Sequence, residues 1–521
     1  MADRAQPLIR PLTLLGLGAG ALVLALVLGS VAAVAWRAER GTGLRPSDWA
    51  ALRFTLWQAT LSAIFSVALA VPVARALARR RFRGRTLLVT LLGAPFILPV
   101  IVAVLGLIMV FGRSGWVNAA LDAAGLPMVS IYGAWGVVLA HVFFNLPLAT
   151  RMILQGWLDV PSERFRLAAS LGMRPRAIFR QIELPMLARV LPGAALVIFL
   201  ICITSFAVAL TLGGGPRATT VELAIYQAFR FDFDLSRAAL LALLQLAVTA
   251  AAALVALRVS APDAMGAGLD RALRRWDQPH PAFDVAALGV AMAFLLVPLG
   301  ALALRGAPHV VSLPPEVWRA ALRSVLVALG SAFLTALLAL PLAVAIQRLG
   351  GIRGRTLEVA GMLGIAASPL VIGTGLFIVT FPFIAPDRLT LPVTALVNAV
   401  MALPFALRVV VPAVEAVEAQ FGPLATSLGL RGWARLRLLI LPRIRRPFAF
   451  ALGLAAALSM GDLGVVALFA DADAATLPLQ LYRLMGAYRM DDAAGAALVL
   501  LALSLVAFWL FDRGGRVDAD V

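Results

Sequence analysis

Apolar residues in this chain are gathered into long runs, separated by short polar intervals that carry arginine. A run of roughly 20 apolar residues is the length that crosses the ~30 Å hydrocarbon core of a bilayer as a helix. Such windows predict helices at about 12–36, 53–77, 86–111, 132–155, 190–212 and 237–258. A second set falls at about 285–305, 318–346, 357–381, 389–412, 447–469 and 493–511. The pattern predicts an all-α polytopic membrane protein with about 12 transmembrane helices, six in each of two halves. The first half covers residues 1–258, a linker covers 259–284, and the second half covers 285–521. The opening run, behind Arg4 and Arg10, is too long for a signal-peptide core and further spans follow it, so it reads as a retained first helix.

The arginines supply a direction. With the N-terminus in the cytoplasm, the inside intervals hold Arg79, Arg80, Arg81, Arg83 and Arg85 after the second span. They also hold Arg164, Arg166, Arg174, Arg176 and Arg180 after the fourth, and Arg431, Arg435, Arg437, Arg443, Arg445 and Arg446 after the tenth. Most arginines fall inside, as the positive-inside rule requires, and both termini are expected in the cytoplasm. Trp36, Trp49, Trp57, Trp116 and Trp318 lie near the outer ends of spans and read as interfacial anchors.

Composition narrows the chemistry. The chain is 62% hydrophobic and 14% charged, whereas soluble domains are about a quarter charged. Its net charge of +18 sits in clusters between spans, so it belongs to membrane topology and not to nucleic acid. All 45 basic residues are arginine. Without lysine, neither a P-loop nor Schiff-base catalysis is available. Cys202 is the one cysteine, and His141, His280 and His309 lack metal-ligand spacing. We expect no catalytic residues, metal or cofactor.

The two halves repeat each other. RGRTL at 83–87 recurs at 353–357, NLPLATR at 145–151 corresponds to ALPFALR at 402–408, and residues 220–226 match 476–482. With six spans per half both copies run the same way through the membrane, so the repeat is parallel and is expected to enclose one central pathway.

After the fourth span stands SERFRLAASLGMRPRAIFRQIELP (162–185), and after the tenth FGPLATSLGLRGWARLRLLILP (421–442). In each copy Ser-Leu-Gly precedes Leu-Pro at one spacing, Gly172 to Pro185 and Gly429 to Pro442. The pattern predicts two short helices joined at the glycine. Ser162 is expected to cap the first, Gly172 to take its left-handed C-terminal position, and Pro175 to open the second. Pro185 and Pro442 are expected to close the element.

These segments resemble the EAA loop of ATP-binding-cassette importer permeases, which implies the type I importer permease fold. Counted back from each glycine, Ala168 and Ala425 hold the third motif position, while Arg166 and Pro423 stand where the family has an acid. Ile182-Glu183-Leu184-Pro185 matches the end of the motif, and Leu439-Ile440-Leu441-Pro442 matches with Leu for Ile. In that family the loop is the coupling helix that seats on the ATPase. The resemblance therefore implies coupling roles for Ala168, Ser170, Gly172, Ile182, Leu184 and Pro185, and for Ala425, Ser427, Gly429, Leu439, Leu441 and Pro442. It also implies two copies of a cytoplasmic ATPase subunit as partners.

Three further segments, LAHVFFNLPLATRMILQ (139–155), LGGGPRATTVELAIYQA (212–228) and LSMGDLGVVALF (458–469), resemble bacterial thiamine/thiamine pyrophosphate importer permeases. Fused permeases for iron(III) share the loops, so the loops leave the cargo open. The resemblance implies an inner-membrane location and a periplasmic thiamine-binding protein as donor. Thr204, Ser205, Ser459 and Asp462 are candidate pathway residues, Asp462 because an ionisable group within a span is a functional candidate by default. Hydroxyls in spans, as at Thr204, Ser205 and Ser459, are more often satisfied by their own backbone, and Asp462 can equally pack between helices. His141 and Asn145, one turn apart, are expected to bond between helices, and Pro95, Pro99, Pro147 and Pro404 to kink spans. In the outer segments 213–236 and 470–492, Arg217, Glu222, Arg230, Asp232, Asp234, Asp471, Asp473, Arg483 and Arg489 are candidates for docking the donor, with Arg217, Glu222, Asp232, Arg483 and Arg489 foremost. A secondary transporter would also use twelve spans but leaves the twin loops unexplained.

Overall fold

The structure is a computed structural model that describes residues 10–38, 43–92, 97–213, 215–256, 281–365, 367–384, 386–470 and 474–515. Pro95, His280, Asp471, Asp473 and most of the linker lie outside the described residues. All regular structure among the described residues is helical. The first sequence half supplies α1 (Arg10–Ala38), α2 (Pro46–Arg79), α3 (Arg85–Leu91), α4 (Val100–Phe111), α5 (Trp116–Ala123) and α6 (Ala134–Leu158). It continues with α7 (Ser162–Ser170), α8 (Pro175–Ile178), α9 (Leu184–Ile203), α10 (Ala207–Leu212), α11 (Val221–Arg230) and α12 (Leu235–Ala256). The second supplies α13 (Pro281–Gly306), α14 (Pro315–Leu349), α15 (Gly351–Met362), α16 (Pro369–Thr380) and α17 (Pro386–Ser427). After these come α18 (Gly432–Arg435), α19 (Leu441–Met460), α20 (Gly464–Phe469), α21 (Leu477–Gly486) and α22 (Met490–Gly515).

Eleven helices among the described residues are long and apolar enough to cross a membrane, and the shorter apolar α16 stands in the place of a twelfth. The third span of each half is interrupted: 86–111 becomes α3 and α4, and 357–381 becomes α15 and α16. Pro369 opens α16 behind Ser368, whose Oγ accepts the Leu370 N–H at 3.1 Å. Pro99 likewise sits at the start of α4 instead of kinking it, whereas Pro147 and Pro404 lie inside α6 and α17. The five tryptophans read as anchors are exposed.

The chain divides into two compact units that are not its sequence halves: 44–224 with 247–309, and 1–43 with 225–246 and 310–521. In the former, α2 packs on α6 and α9, and α13 packs on α4 and α2. A Cβ on Gly106 of α4 would lie 2.8 Å from the Pro298 carbonyl oxygen of α13, so glycine is what lets these backbones meet. In the latter, α14 packs on α17, α19 and α1, and α1 also lies on α16. There a Cβ on Gly375 of α16 would lie 2.4 Å from the Ser30 carbonyl oxygen of α1. Within each unit, then, the first helix of one half lies against the third span of the other half, through a glycine at the matching position.

Candidate functional site

The two loops share one backbone turn. Gly172 has φ +63° and Gly429 has φ +70°, the left-handed region that glycine adopts without strain. In the first copy the Met173 N–H donates to the Ala168 carbonyl at 3.0 Å and the Gly172 N–H to that of Ala169 at 3.0 Å. In the second, Leu430 N–H donates to Ala425 at 2.9 Å and Gly429 N–H to Thr426 at 3.0 Å. This is the paired bonding of a Schellman turn. It places Ala168 and Ala425, both buried, at one register. The Ser170 and Ser427 hydroxyls are exposed and bond their own helices, to the Leu167 and Pro423 carbonyls.

Beyond the turn, a short helix leads into one wide π-helical turn, Phe179–Glu183 or Leu436–Ile440. Pro185 and Pro442 then stand at the second residue of α9 and α19, directly after the wide turn. The prolines therefore do not close the loop: they lie inside a helix that is already continuous from Pro175 and Gly432. Pro175 opens α8 as expected, but Ser162 lies within α7 behind Pro161, and its hydroxyl donates to Glu163 and not to a backbone cap. The second loop also departs from two short helices. Its first arm is the end of the 42-residue α17, whose ~63 Å at 1.5 Å per residue is about twice the membrane core.

The interiors of the loops differ. In the first, Phe165, Ala168, Ile178 and Val160 are buried together, with Met173, Ile182 and Met186 against them. In the second, Leu439 is buried and Arg435 bridges the two arms. Its guanidinium pairs with Glu418 through two nitrogens, and also donates to Thr426 Oγ1 at 3.2 Å.

The fifth span of each half is broken at one register, between α9 and α10 at 204–206 and between α19 and α20 at 461–463. Thr204 and Ser205 lie in the first break, Asp462 in the second, and Ser459 one turn before it. Thr204 bonds back to the Leu200 carbonyl at 3.3 Å, whereas Ser459 accepts from Asn398 Nδ2 at 3.0 Å. Asp462 Oδ1 accepts the Gly464 N–H at 3.2 Å, while its Oδ2 is shielded and has no hydrogen-bond partner among the described residues. His141 meets Ser62 Oγ at 3.4 Å, and Asn145 donates to the His141 carbonyl at 2.8 Å and to Cys202 Sγ at 3.4 Å. These two residues do join helices.

Residues 66–275 match the family described as the binding-protein-dependent transport system inner membrane component. Over its whole length the chain is 40% identical to the thiamine transport system permease protein ThiP of Escherichia coli (strain K12), covering 100% of both. It is 33% identical to the protein of that name from Haemophilus influenzae, over 87% of this chain and 86% of that one. The molybdenum transport system permease protein ModB of Mycobacterium bovis is 32% identical over 42% of this chain and 82% of its own. The chain belongs to the thiamine transport permease family. It is an all-α, multi-pass inner-membrane permease of the ATP-binding-cassette importer type.

In this permease the outer segments hold α11 and α21, which lie at matching positions of the repeat. The Thr55 hydroxyl of α2 accepts the Val221 N–H at 2.9 Å, and the Ser324 hydroxyl of α14 accepts the Leu477 N–H at 2.8 Å. Arg217 is exposed, Asp232 pairs with Arg237 at 2.7 Å and Arg489 with Asp492 at 2.7 Å. Arg483 is half-buried beside Tyr226, whose phenol burial pushes up against the opposing pull of Arg230 and Arg483. Glu222 is fully buried, so it does not reach a surface that a docked protein would touch.

Two features escape the sequence motif. Leu167 and Leu171 are 60% and 69% exposed, and their repeats Leu424 and Leu428 are 58% and 67% exposed. Their i, i+4 spacing puts each pair on one helix face, about a quarter turn from the buried alanine, a signal that was present in the sequence. The second feature is Glu183, the variable position of Ile-x-Leu-Pro, which is fully buried. It binds Arg75 at 2.6 Å and Arg79 at 3.5 Å, and Arg75 also lies 5.0 Å over the Phe179 ring. Arg79 and Arg80 in turn reach Asp284, at 3.9 and 2.7 Å. No spacing rule links residues so far apart in the chain.

Proposed function

We propose that this permease carries thiamine and its phosphates from a periplasmic binding protein to the cytoplasm. ATP hydrolysis by two copies of a partner subunit, one on each glycine turn, drives the cycle. The observation that supports this coupling role is the duplicated Schellman turn with a matching pair of exposed leucines. An apolar ridge on an otherwise basic loop is a contact surface for protein. Ala168, Gly172 and Ile182, with Ala425, Gly429 and Leu439, shape each loop, while Ser170, Leu184, Pro185, Ser427, Leu441 and Pro442 lie on or near its outer face. The arginine bias supports a cytoplasmic location for both loops and both termini.

Full-length similarity to proteins named for thiamine transport supports the cargo. The broken fifth spans support it chemically. Interrupted helices are where transporters expose backbone and polar groups to a solute. The Asp462 Oδ2, lacking a partner among the described residues, suits the cationic thiazolium. Thr204 and Ser205 lie in the break of the first half, and Ser459 one turn before that of the second. Arg217, Asp232, Arg483 and Arg489 remain our docking candidates for the donor; Glu222 is withdrawn. Uptake of labelled thiamine by vesicles holding the permease, its ATPase and the binding protein tests this reading. Uptake of ferric ion or another solute, with no response to thiamine, overturns the cargo.

A further inference from the structure

An elongated crevice of about 510 Å³ runs between α14, α19 and α22. Ala328, Phe448, Leu452, Val506, Leu510 and Phe511 line it, and Arg445 and Gly514 stand at one end. From Arg445 to Met460, another lining residue, the helix rises about 22 Å at 1.5 Å per residue. That exceeds half of the ~30 Å hydrocarbon core, so the crevice is as long as the acyl chain of one leaflet. Glycines form it. A Cβ on Gly453 would lie 3.1 Å from Phe511 Cβ, and one on Gly515 would lie 2.7 Å from Ala449 Cβ. Helices α19 and α22 therefore touch along one side and leave the crevice open on the other, where Val506 and Leu510 are exposed.

The mouth is cationic and lies at the membrane face that carries the second glycine turn. Arg445 is exposed and makes no ion pair or hydrogen bond among the described residues. Arg446 follows it, and Arg513 stands 5.0 Å over the Trp509 ring on α22. Asp512 is already partnered. The other unit offers a contrast. Its crevice between α2, α6 and α13, about 580 Å³, is equally apolar, but Asp284 beside its lining residue Phe283 is held by Arg80 at 2.7 Å. An apolar slot ending in a spare guanidinium is complementary to one kind of membrane component.

We propose that the α14–α19–α22 crevice binds an anionic phospholipid, one acyl chain lying in the slot and the phosphate on Arg445. The test is native mass spectrometry of the delipidated, detergent-solubilised full chain, with phosphatidylglycerol or phosphatidylcholine of identical chains. Phosphatidylglycerol should be retained roughly fivefold better, the increment one arginine supplies at an anionic surface. Arg445→Gln should bring it down to the phosphatidylcholine level, and Arg445→Lys should keep most of the preference. Ala507→Phe, which fills the slot, should lower retention of both lipids. Equal retention of the two lipids by the native chain, or undiminished phosphatidylglycerol on Arg445→Gln, overturns the proposal. So does release of the lipid by millimolar inorganic phosphate, which would show that the slot contributes nothing.

Discussion

Replacing Gly172 and Gly429 with Asn, Ala and Val should weaken ATPase docking in that order. The structure isolates the cause, because a Cβ at either glycine would meet no heavy atom within 4 Å. Side-chain volume is therefore harmless, and the whole effect comes from φ values of +63° and +70°. Holding an ordinary L-residue there costs about 1–2 kcal/mol, most for a β-branched one and least for Asn. If the turn opens instead, each copy loses two backbone hydrogen bonds of 2.9–3.0 Å, about 1 kcal/mol apiece. Either route caps the penalty near 2 kcal/mol per loop. At 1.4 kcal/mol per decade, Val should weaken docking about 10–30-fold, Ala about fivefold and Asn about twofold. On the proposed arrangement of one subunit per loop, the double Val variant should show both losses added. Titrating purified ATPase onto the permease in nanodiscs reads these values directly. A Val variant that docks within twofold of wild type, or an Asn variant weaker than Val, would mean that the partner does not read the left-handed turn.

Glu183→Gln removes the acid shared by Arg75 and Arg79, and should destabilise the detergent-solubilised permease by about 3 kcal/mol; adding Arg75→Met should recover part of it, and an unchanged melting temperature for the single variant refutes the network. Arg435→Met should strand the buried Glu418 and cost a similar ~3 kcal/mol, whereas Arg435→Met with Glu418→Met should be nearly neutral; equal losses in single and double variants argue against the pair. Asp462→Asn should lower thiamine uptake by about tenfold, the ~1.4 kcal/mol of one partly screened charge pair, while leaving ATPase co-purification intact; unchanged uptake removes the carboxylate from the pathway. Thr55→Val and Ser324→Ala should each loosen the start of α11 or α21 by about 1 kcal/mol, visible as faster amide exchange at Val221 or Leu477, and unaltered exchange contradicts the hydroxyl caps.

The spans were legible because a membrane helix must satisfy its own backbone and present apolar side chains over a fixed length. That constraint is local, so hydropathy alone finds it. The Gly172 and Gly429 turns were legible for a similar reason: only glycine takes the left-handed position freely, and a fixed distance to Leu-Pro marks the returning helix. The break at 204–206 was not legible, since Thr204-Ser205-Phe206 contains neither Pro nor Gly and continues an apolar run. Its repeat carries Gly461 and Asp462, yet the apolar run on either side reads as one continuous span. Packing was hidden as well. Gly106 and Gly375 look like ordinary glycines inside spans until Pro298 and Ser30 arrive from distant segments. Likewise Pro161 breaks the helix before the first loop, while its repeat Glu418 lets α17 run on, and the common spacing of the two loops conceals that difference.

The repeat has kept what the backbone dictates and changed what fills the interior. Both loops retain the turn, the buried alanine, the wide π-helical turn and the exposed leucine pair, all of which fix an outer shape. Where the first loop places Ile178 among apolar neighbours, the second places Arg435 against Glu418. Where the first returns through Glu183 tied to α2, the second returns through buried Ile440. A buried ion pair adds little net stability over apolar packing of like volume, but it is intolerant of misalignment. The missing acid of the loop motif fits this division, because Arg166 and Pro423 occupy its place without disturbing either turn. On the coupling role proposed above, matching outer turns would let one type of ATPase subunit seat on both loops. The unlike interiors would then carry the same push through an ionic contact to α2 in one unit and through a guanidinium clamp on α17 in the other.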